Sequence, residues 1–284
     1  MDRTVVVTGV STGIGWGITK VLTENGFHVF GSVRKKADAD RLSKEFGDAY
    51  TPLIFDVTDA AAVGKAAKLV ADKLDGRTLT GLVNNAGVSF GGPLQHLPLE
   101  SFEKQLEVNL TGVLTTTQAF APLLGTDLKR KGEPGRLFNI GSIGGRNAFP
   151  FTGPYHTTKF GLEGFTESLR RELMLYRIDV VLIAPGSIAT PIWDKAEKQD
   201  TSKYKKTGYA AAIESVFAER AKLADAGLPP ESVGEVILKA MNAHKPKVRY
   251  VVARNPFEIF LGERLPRRWV DAIIAKRLDM KPLR

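Results

Sequence analysis

Seven short runs of β-branched and apolar residues alternate with longer segments of helical periodicity, and this constrains the chain more than any other feature. T-V-V-V-T (4–8), F-H-V-F-G-S-V (27–33), T-P-L-I-F-D (51–56), L-T-G-L-V-N-N (79–85), R-L-F-N-I-G-S (136–142), I-D-V-V-L-I-A (178–184) and K-V-R-Y-V-V (247–252) read as strands. Residues 14–25, 38–46, 59–73, 99–124, 153–176 and 231–243 read as helices between or after them. Strands that are apolar at nearly every position are buried on both faces, and a regular β–α alternation feeds parallel strands through crossover helices. The expected fold is α/β: a doubly wound parallel sheet of about seven strands with helices on both faces. One domain over 1–252 accounts for most of the 284 residues. Two segments break the rhythm. The insertion 186–229 is too long for a plain connection and is expected to act as a substrate lid, and 253–284 is a basic, amphipathic C-terminal extension.

Composition narrows the chemistry. There is no cysteine, which excludes disulfides, thiol catalysis and thiolate metal sites and fits a reducing cytoplasm, the expected location. The four histidines, His28, His96, His156 and His244, have no paired-ligand spacing, so no metal is expected. The first residues run straight into a strand without the layout of a signal peptide, and no stretch reaches the apolar length of a membrane span. The net charge of +9 is uneven: eleven basic and four acidic residues lie between Lys245 and Arg284. The excess therefore belongs to the tail, and no nucleic-acid partner is expected.

The first strand runs into T-G-V-S-T-G-I-G, with Gly9, Gly13 and Gly15 ahead of a helix. Glycines there admit positive φ and let backbone N–H groups and a helix N-terminus approach a pyrophosphate. Alone, these letters describe only a glycine-rich turn; following the first strand of a βαβ unit, they read as a dinucleotide site. The second strand ends F-G-S-V-R-K-K, without the acid that holds the ribose 2′-OH of NAD. Ser32 and Arg34 can instead bind a 2′-phosphate, so NADP(H) is expected over NAD(H). Asp56 ends the third strand at the carboxyl edge, in reach of an adenine amino group. Asp59 reads as a helix N-cap. N-N-A-G (84–87) is either a turn or a further wall of the cofactor cleft.

P-Y-H-T-T-K (154–159) sets Tyr155 and Lys159 four apart on one helix face. Chance produces such a pair about once in every two chains of this composition, so the spacing alone decides nothing. Together, however, T-G-V-S-T-G-I-G, N-N-A-G, L-E-V-N-L, N-I-G-S, Y-H-T-T-K and A-P-G-S-I-A-T resemble the motifs of the short-chain dehydrogenase/reductase family in order and separation. The resemblance is to its compact single-domain branch with a Rossmann sheet, and it spans about 3–252. It implies a catalytic set of Asn109, Ser142, Tyr155 and Lys159. It also implies cofactor contacts from Gly9, Ser11, Thr12, Gly13, Ile14, Gly15, Ser32, Arg34, Asp56, Val57, Asn85, Ala86 and Gly87. Further contacts follow from Tyr155, Lys159, Pro185, Gly186, Ile188 and Thr190, the last four through the segment that meets the nicotinamide carboxamide. G-R-N-A-F-P-F-T-G-P-Y and the basic segment 265–278 resemble the retinol dehydrogenase and 17β-hydroxysteroid dehydrogenase subgroup.

The residue types suit that chemistry. A tyrosine hydroxyl with a pKa near ~10 needs a neighbouring ammonium to exchange protons near neutrality, so Lys159 is expected to lower the pKa of Tyr155. Ser142 is expected to donate to the substrate oxygen. Asn109 is expected to hold a water linking Lys159 to solvent, or simply to satisfy a kink in its helix. His156, one residue from Tyr155, is expected to point away from the Tyr155–Lys159 face and to contribute nothing. Phe90, Phe149, Phe151, Trp193, Tyr204, Tyr209 and Phe217 suggest a bulky hydrophobic alcohol or ketone, steroid-, retinoid- or lipid-like, or else merely pack the lid. Leu265, Trp269, Ile273 and Leu278 recur at helical spacing among basic residues. A membrane-surface helix, a lid over the substrate mouth, a dimer contact and a solvated face on a docked helix all remain open for them. Helices 99–124 and 153–176 are expected to pair in a homodimer or homotetramer. A catalytically idle NADP(H)-sensing protein and an NAD-dependent dehydrogenase of a smaller alcohol are the alternative functions.

Overall fold

Each of the seven strand segments forms a strand, and hydrogen bonding joins them all into one parallel sheet. The computed structural model describes residues 3–190, 202–216 and 226–280. The strands are β1 (Thr4–Val7), β2 (His28–Val33), β3 (Tyr50–Ile54), β4 (Gly81–Asn84), β5 (Arg136–Ile140), β6 (Asp179–Pro185) and β7 (Arg249–Val252). Their order is β3-β2-β1-β4-β5-β6-β7, so the winding reverses between β1 and β4. There the carboxyl ends part, and open α/β sheets bind ligands at this place.

Side chains alternate across the pleat and divide the core in two. Val5, Val7, Val29, Val83, Phe138, Ile140, Val181 and Ile183 face one layer, with Ile18 and Leu22 of α1 (Gly13–Glu24), Ala39 and Leu42 of α2 (Lys36–Phe46) and Val233 and Ile237 of α7 (Glu231–Asn242). Val6, Phe30, Leu82, Leu137 and Val180 face the other, against α3 (Ala60–Leu74), α5 (Gly112–Ala121) and Leu173 of α6 (Gly153–Leu173). Complete burial of a Val, Leu, Ile or Phe side chain stabilises by about 1.5–3 kcal/mol. The sheet is thus a rigid frame for whatever stands on its edge.

Asp59 is the N-cap of α3, its carboxylate accepting the Ala62 N–H at 2.9 Å. The segment 99–124 departs from the expected single helix. α4 (Leu99–Leu106) passes through a π-turn at Glu107–Thr111 into α5, and a second π-turn follows at Pro122–Thr126. An extra residue in a helical turn re-aims the side chains around it, and such turns are frequent at functional sites. Asn109 lies in the first.

The insertion 186–229 is closed at its base: the Ala189 N–H donates to Leu228 O (2.8 Å) and the Leu228 N–H to Ser187 O (3.0 Å). Residues 210–216 are helical, whereas Trp193 and Phe217 lie outside the described residues. After β7 come α8 (Pro256–Gly262) and α9 (Arg267–Arg277). The expected stripe is not the docked face of α9. Leu278 is buried, but Trp269 and Ile273 are 64% and 55% exposed. Val270 and Ile274 share the partly buried side with Leu278 instead, at the i, i+4, i+8 spacing that one helix face requires. Among the described residues, no helix is long and apolar enough to cross a membrane.

Candidate active site

The glycine turn after β1 is held by its own motif and by N-N-A-G. Gly9 has φ +70°, and a Cβ on Gly15 would stand 2.3 Å from Gly9 O and 2.5 Å from Asn85 Nδ2. No side chain fits at Gly15, so the backbone forms a bare cradle. The Thr8 hydroxyl accepts the N–H groups of Asn85 and Ala86, both at 2.9 Å. Asn85 Nδ2 donates back to Thr8 O (2.8 Å) and Gly9 O (3.0 Å). Thr8 is a site residue that motif reading left out; its place before the first glycine was the available signal. At the start of α1, Thr12 makes no side-chain cap and the first turn carries no acid. The positive end of the helix dipole and its amide N–H groups therefore remain for an anion. Ser11 and Ile14 flank this turn, half-buried, and Arg41 donates to Ser11 O at 2.6 Å.

At the end of β2 the two expected phosphate ligands part company. Ser32 is 2% exposed and accepts the Gly9 N–H at 2.9 Å, so its hydroxyl anchors the glycine turn from beneath. The Arg34 side chain is 69% exposed, with its guanidinium 3.8 Å from the Asp56 carboxylate. Asp56 Oδ1 accepts from both the N–H (3.0 Å) and the hydroxyl (2.9 Å) of Thr58. Burial pushes this carboxyl upward, but the Thr58 hydrogen bonds and the charges of Arg34 and Lys104 outweigh it and leave it below the usual range. Val57 is buried with the α3–α5 layer, and Gly87 is exposed. Beyond β6, the Gly186 N–H donates to Val252 O at 2.9 Å. Pro185 closes the strand, Thr190 is half-buried, and Ile188 is part of the core at 3% exposure. The backbone of Ile188, not its side chain, is what it can offer a ligand.

Ser142, Tyr155 and Lys159 converge at the carboxyl edge of β5. Ser142 stands just beyond the strand, and its Oγ accepts the Gly144 N–H at 3.0 Å. Tyr155 and Lys159 lie on the first turns of α6, with the Lys159 ammonium 5.6 Å from the Tyr155 ring centre. Lys159 is 9% exposed and donates to Ile140 O at 2.7 Å. Burial holds its pKa down at about 8. The expected direction for Tyr155 is reversed in the protein itself. Burial raises the phenol, and only the hydrogen bond with Ser142 opposes that rise. The reason is the low-dielectric edge of the sheet, which disfavours both charged forms at once.

Asn109 is 2% exposed. Its Nδ2 donates to Val88 O (2.9 Å) and Thr158 Oγ1 (3.1 Å), and its Oδ1 accepts the Val88 N–H (2.9 Å). The π-turn thus ties the N-N-A-G loop to the residue preceding Lys159. Beneath the site, Asn84 Nδ2 donates to Asn139 Oδ1 (3.0 Å) and Thr117 Oγ1 (3.1 Å), and Asn139 Nδ2 to Thr166 Oγ1 (2.9 Å). This buried network joins β4 and β5 to the helices behind them.

The structure corrects the reading of His156. The ring is buried at 8% exposure. Nε2 accepts the Phe149 N–H at 2.8 Å, so the proton belongs to Nδ1, which donates to Gly144 O at 2.7 Å. His156 therefore pins the loop between Ser142 and Tyr155 to α6 at two points. Position relative to Tyr155 was the wrong criterion, because its partners lie on the loop rather than on the helix.

The half-buried Phe151 meets Tyr209 of the insertion edge-on at 5.8 Å, and the Tyr209 hydroxyl donates to Gln95 at 3.0 Å. Tyr204 is 2% exposed. Phe149 and Phe90 are half-buried, and the Phe90 N–H donates to the buried Gln105, which no motif signalled.

A glycine cradle at the winding reversal, with Ser142, Tyr155 and Lys159 on the same sheet edge, is the arrangement of a nucleotide-linked oxidoreductase. The chain belongs to the short-chain dehydrogenase family, which it matches over residues 3–201, and it is an oxidoreductase. It is 41% identical to the NADPH-dependent 3-dehydrocapnine reductase of Ornithobacterium rhinotracheale over 99% of this chain and 98% of that protein. It is 31% identical to retinol dehydrogenase 16 of Mus musculus, covering 77% of this chain and 67% of that protein. Among solved structures, a short-chain dehydrogenase/reductase from Burkholderia phymatum in complex with NAD superposes with a TM-score of 0.79. It is 19% identical, with 100% of this chain and 98% of that one covered, a likeness of fold.

Proposed function

We propose that this protein is an NADP(H)-dependent oxidoreductase that interconverts a hydrophobic ketone and its alcohol, with Tyr155 as the acid/base. The observation that carries the reading is the convergence of Ser142, Tyr155 and Lys159 on one sheet edge beside a cradle that a single Cβ at Gly15 would fill. NADP(H) fits this cradle: a bare backbone turn and an uncapped helix N-terminus suit its pyrophosphate, and the exposed Arg34, with no acid at the end of β2, suits its 2′-phosphate. The name of the reductase from Ornithobacterium points the same way and favours reduction of a carbonyl.

Bound NADPH supplies the hydride. Ser142 donates a hydrogen bond to the carbonyl oxygen, and Tyr155 passes its proton to that oxygen as the alcohol forms. Burial keeps the Tyr155 phenol protonated before the reaction, the form that a proton donor needs. Lys159 favours the phenolate left behind, and Asn109 holds the water through which the proton is replaced. Phe149, Phe151 and Tyr209 supply an apolar wall for a steroid-, retinoid- or lipid-like substrate. Leu99, Leu114 and Phe160 stand exposed on α4, α5 and α6 and support association of these helices in a homodimer or homotetramer. Trp269 and Ile273, exposed among basic residues of α9, support a peripheral contact with an anionic membrane surface.

Tyr155→Phe tests the mechanism. Turnover of a hydrophobic ketone, followed at the nicotinamide absorbance, should fall by about 10²- to 10⁴-fold, with NADPH affinity retained. Wild-type rates in that variant would rule out the assignment of Tyr155.

A further inference from the structure

The C-terminal extension is anchored to the catalytic segment by a closed ring of charges. Arg146, four residues after Ser142, reaches Glu163 at 3.2 Å and Glu263 at 3.3 Å. Arg249, the first residue of β7, reaches Glu163 at 2.9 Å and Glu263 at 3.0 Å. Each carboxylate therefore sits between two guanidiniums and each guanidinium between two carboxylates. Glu163 lies one helical turn beyond Lys159 on α6, and Glu263 directly follows α8. The ring consequently joins the Ser142 loop, the Tyr155–Lys159 helix, the edge strand and the extension. Arg267, the first residue of α9, adds a hydrogen bond to Arg146 O (3.1 Å) and another to Asn147 Oδ1.

This is more than a surface ion pair. The side chains of Glu263, Arg249 and Glu163 are 6%, 12% and 18% exposed, and Arg146, at 47%, is the one member that faces solvent. Exposed pairs contribute little, whereas removing one member of a buried set leaves the others charged and unmatched. The location gives the ring its consequence. The loop from Ile143 to Thr152 must hold Ser142 in register with Tyr155. His156 pins it at Gly144 and Phe149, and the ring and Arg267 pin it at Arg146 and Asn147. The extension supplies two of those holds.

We propose that Glu263 is a positioning residue: through Arg146 and Glu163 it makes the Ser142–Tyr155–Lys159 alignment dependent on the docked C-terminal extension. This rests on the catalytic roles given above. A membrane contact would use the exposed Trp269 and Ile273, whereas this role belongs to the side turned to the loop.

The test uses the full chain. Glu263→Gln keeps the size and removes the charge, leaving two guanidiniums facing a single carboxylate. The expected result is a kcat lowered by about ten- to a hundredfold, because small displacements of reacting groups cost that much. NADPH affinity should stay within about twofold of wild type, and amide exchange should quicken across 143–152. Arg267→Ala, which breaks the second hold without unmatching the ring, should move kcat and exchange in the same direction by less. It serves equally if Glu263→Gln does not fold. In the double variant with Arg146→Gln, the losses should be less than additive, as for two parts of one contact. Wild-type kcat together with wild-type exchange in the folded variants would overturn the proposal. If the unaltered protein reduces no hydrophobic ketone, the functional reading fails instead, and exchange over 143–152 still decides whether Glu263 holds the loop.

Discussion

The two halves of the sheet edge are built differently. On the cofactor side, the motif residues hold one another: Thr8, Gly9, Asn85 and Ala86 exchange hydrogen bonds, and Ser32 anchors Gly9. Around Ser142 and Tyr155, the motif residues are held by others. Ser142 and Tyr155 depend on a loop clamped by His156, Arg146, Glu163, Arg249, Glu263 and Arg267. The glycine turn is held by residues distant in sequence, but these belong to the cofactor motifs themselves. The Ser142 loop must be fixed between a strand and a helix that are also contacted by distant parts of the chain. A motif names what meets a ligand; it names the support as well only where another motif supplies that support.

Substitutions at three positions would break or sharpen that contrast. The largest effect on stability belongs to Lys159→Met. With the Lys159 pKa held down at about 8 by burial, carrying the charge at pH 7 costs the fold about 3 kcal/mol relative to an unfolded lysine. The variant should therefore lose turnover yet gain stability at neutral pH, as read by chemical denaturation. The sign follows from proton counts. Between pH 8 and about 10, the unfolded chain keeps a proton that the folded chain has lost, so wild-type stability rises with pH through this window. The variant should lack that rise; a variant less stable than wild type at pH 7 would mean that the ammonium is well solvated.

The second effect is smaller and tests the clamp. His156→Ala strips partners from Gly144 O and Phe149 N–H and should cost about 2 kcal/mol of stability, while lowering kcat more than it changes NADPH affinity. His156→Asn, with an amide to donate to Gly144 O, should recover part of both losses. Unchanged kcat in the alanine variant would remove the histidine from the positioning scheme.

Least affected should be Arg34→Ala, on the cofactor side. The guanidinium is exposed and its carboxylate partner lies 3.8 Å away, so stability should hardly change. The preference for NADPH over NADH, measured by titration, should fall by about tenfold or more through the loss of a charge-assisted phosphate contact. Equal affinities for both nucleotides in the wild type would refute the 2′-phosphate assignment.

Much of this architecture was legible in the residues themselves. Strands apolar at nearly every position give a sheet buried on both faces, and six ordered motifs place Ser142, Tyr155 and Lys159 at its edge. Periodicity follows strands and helix faces because each repeats over a few neighbouring residues. It missed the π-turn at Glu107–Thr111, since one extra residue in a turn leaves the apolar pattern nearly intact. The pKa of Tyr155 was misjudged for another reason: a nearby lysine is visible in the sequence, but the dielectric around the pair is not. The docked face of α9 was also displaced, because Trp269 and Ile273 fit a helical stripe as well as Val270 and Ile274 do, and only the surface beneath the helix selects between them.

By itself, then, the sequence determined the sheet, which rests on regular spacing, and marked the glycine turn and Ser142, Tyr155 and Lys159 through short motifs. Only the tertiary structure decided how those side chains are held. His156 acts across a loop and Glu263 across a hundred residues from Glu163, and contacts made through space leave no period in the chain.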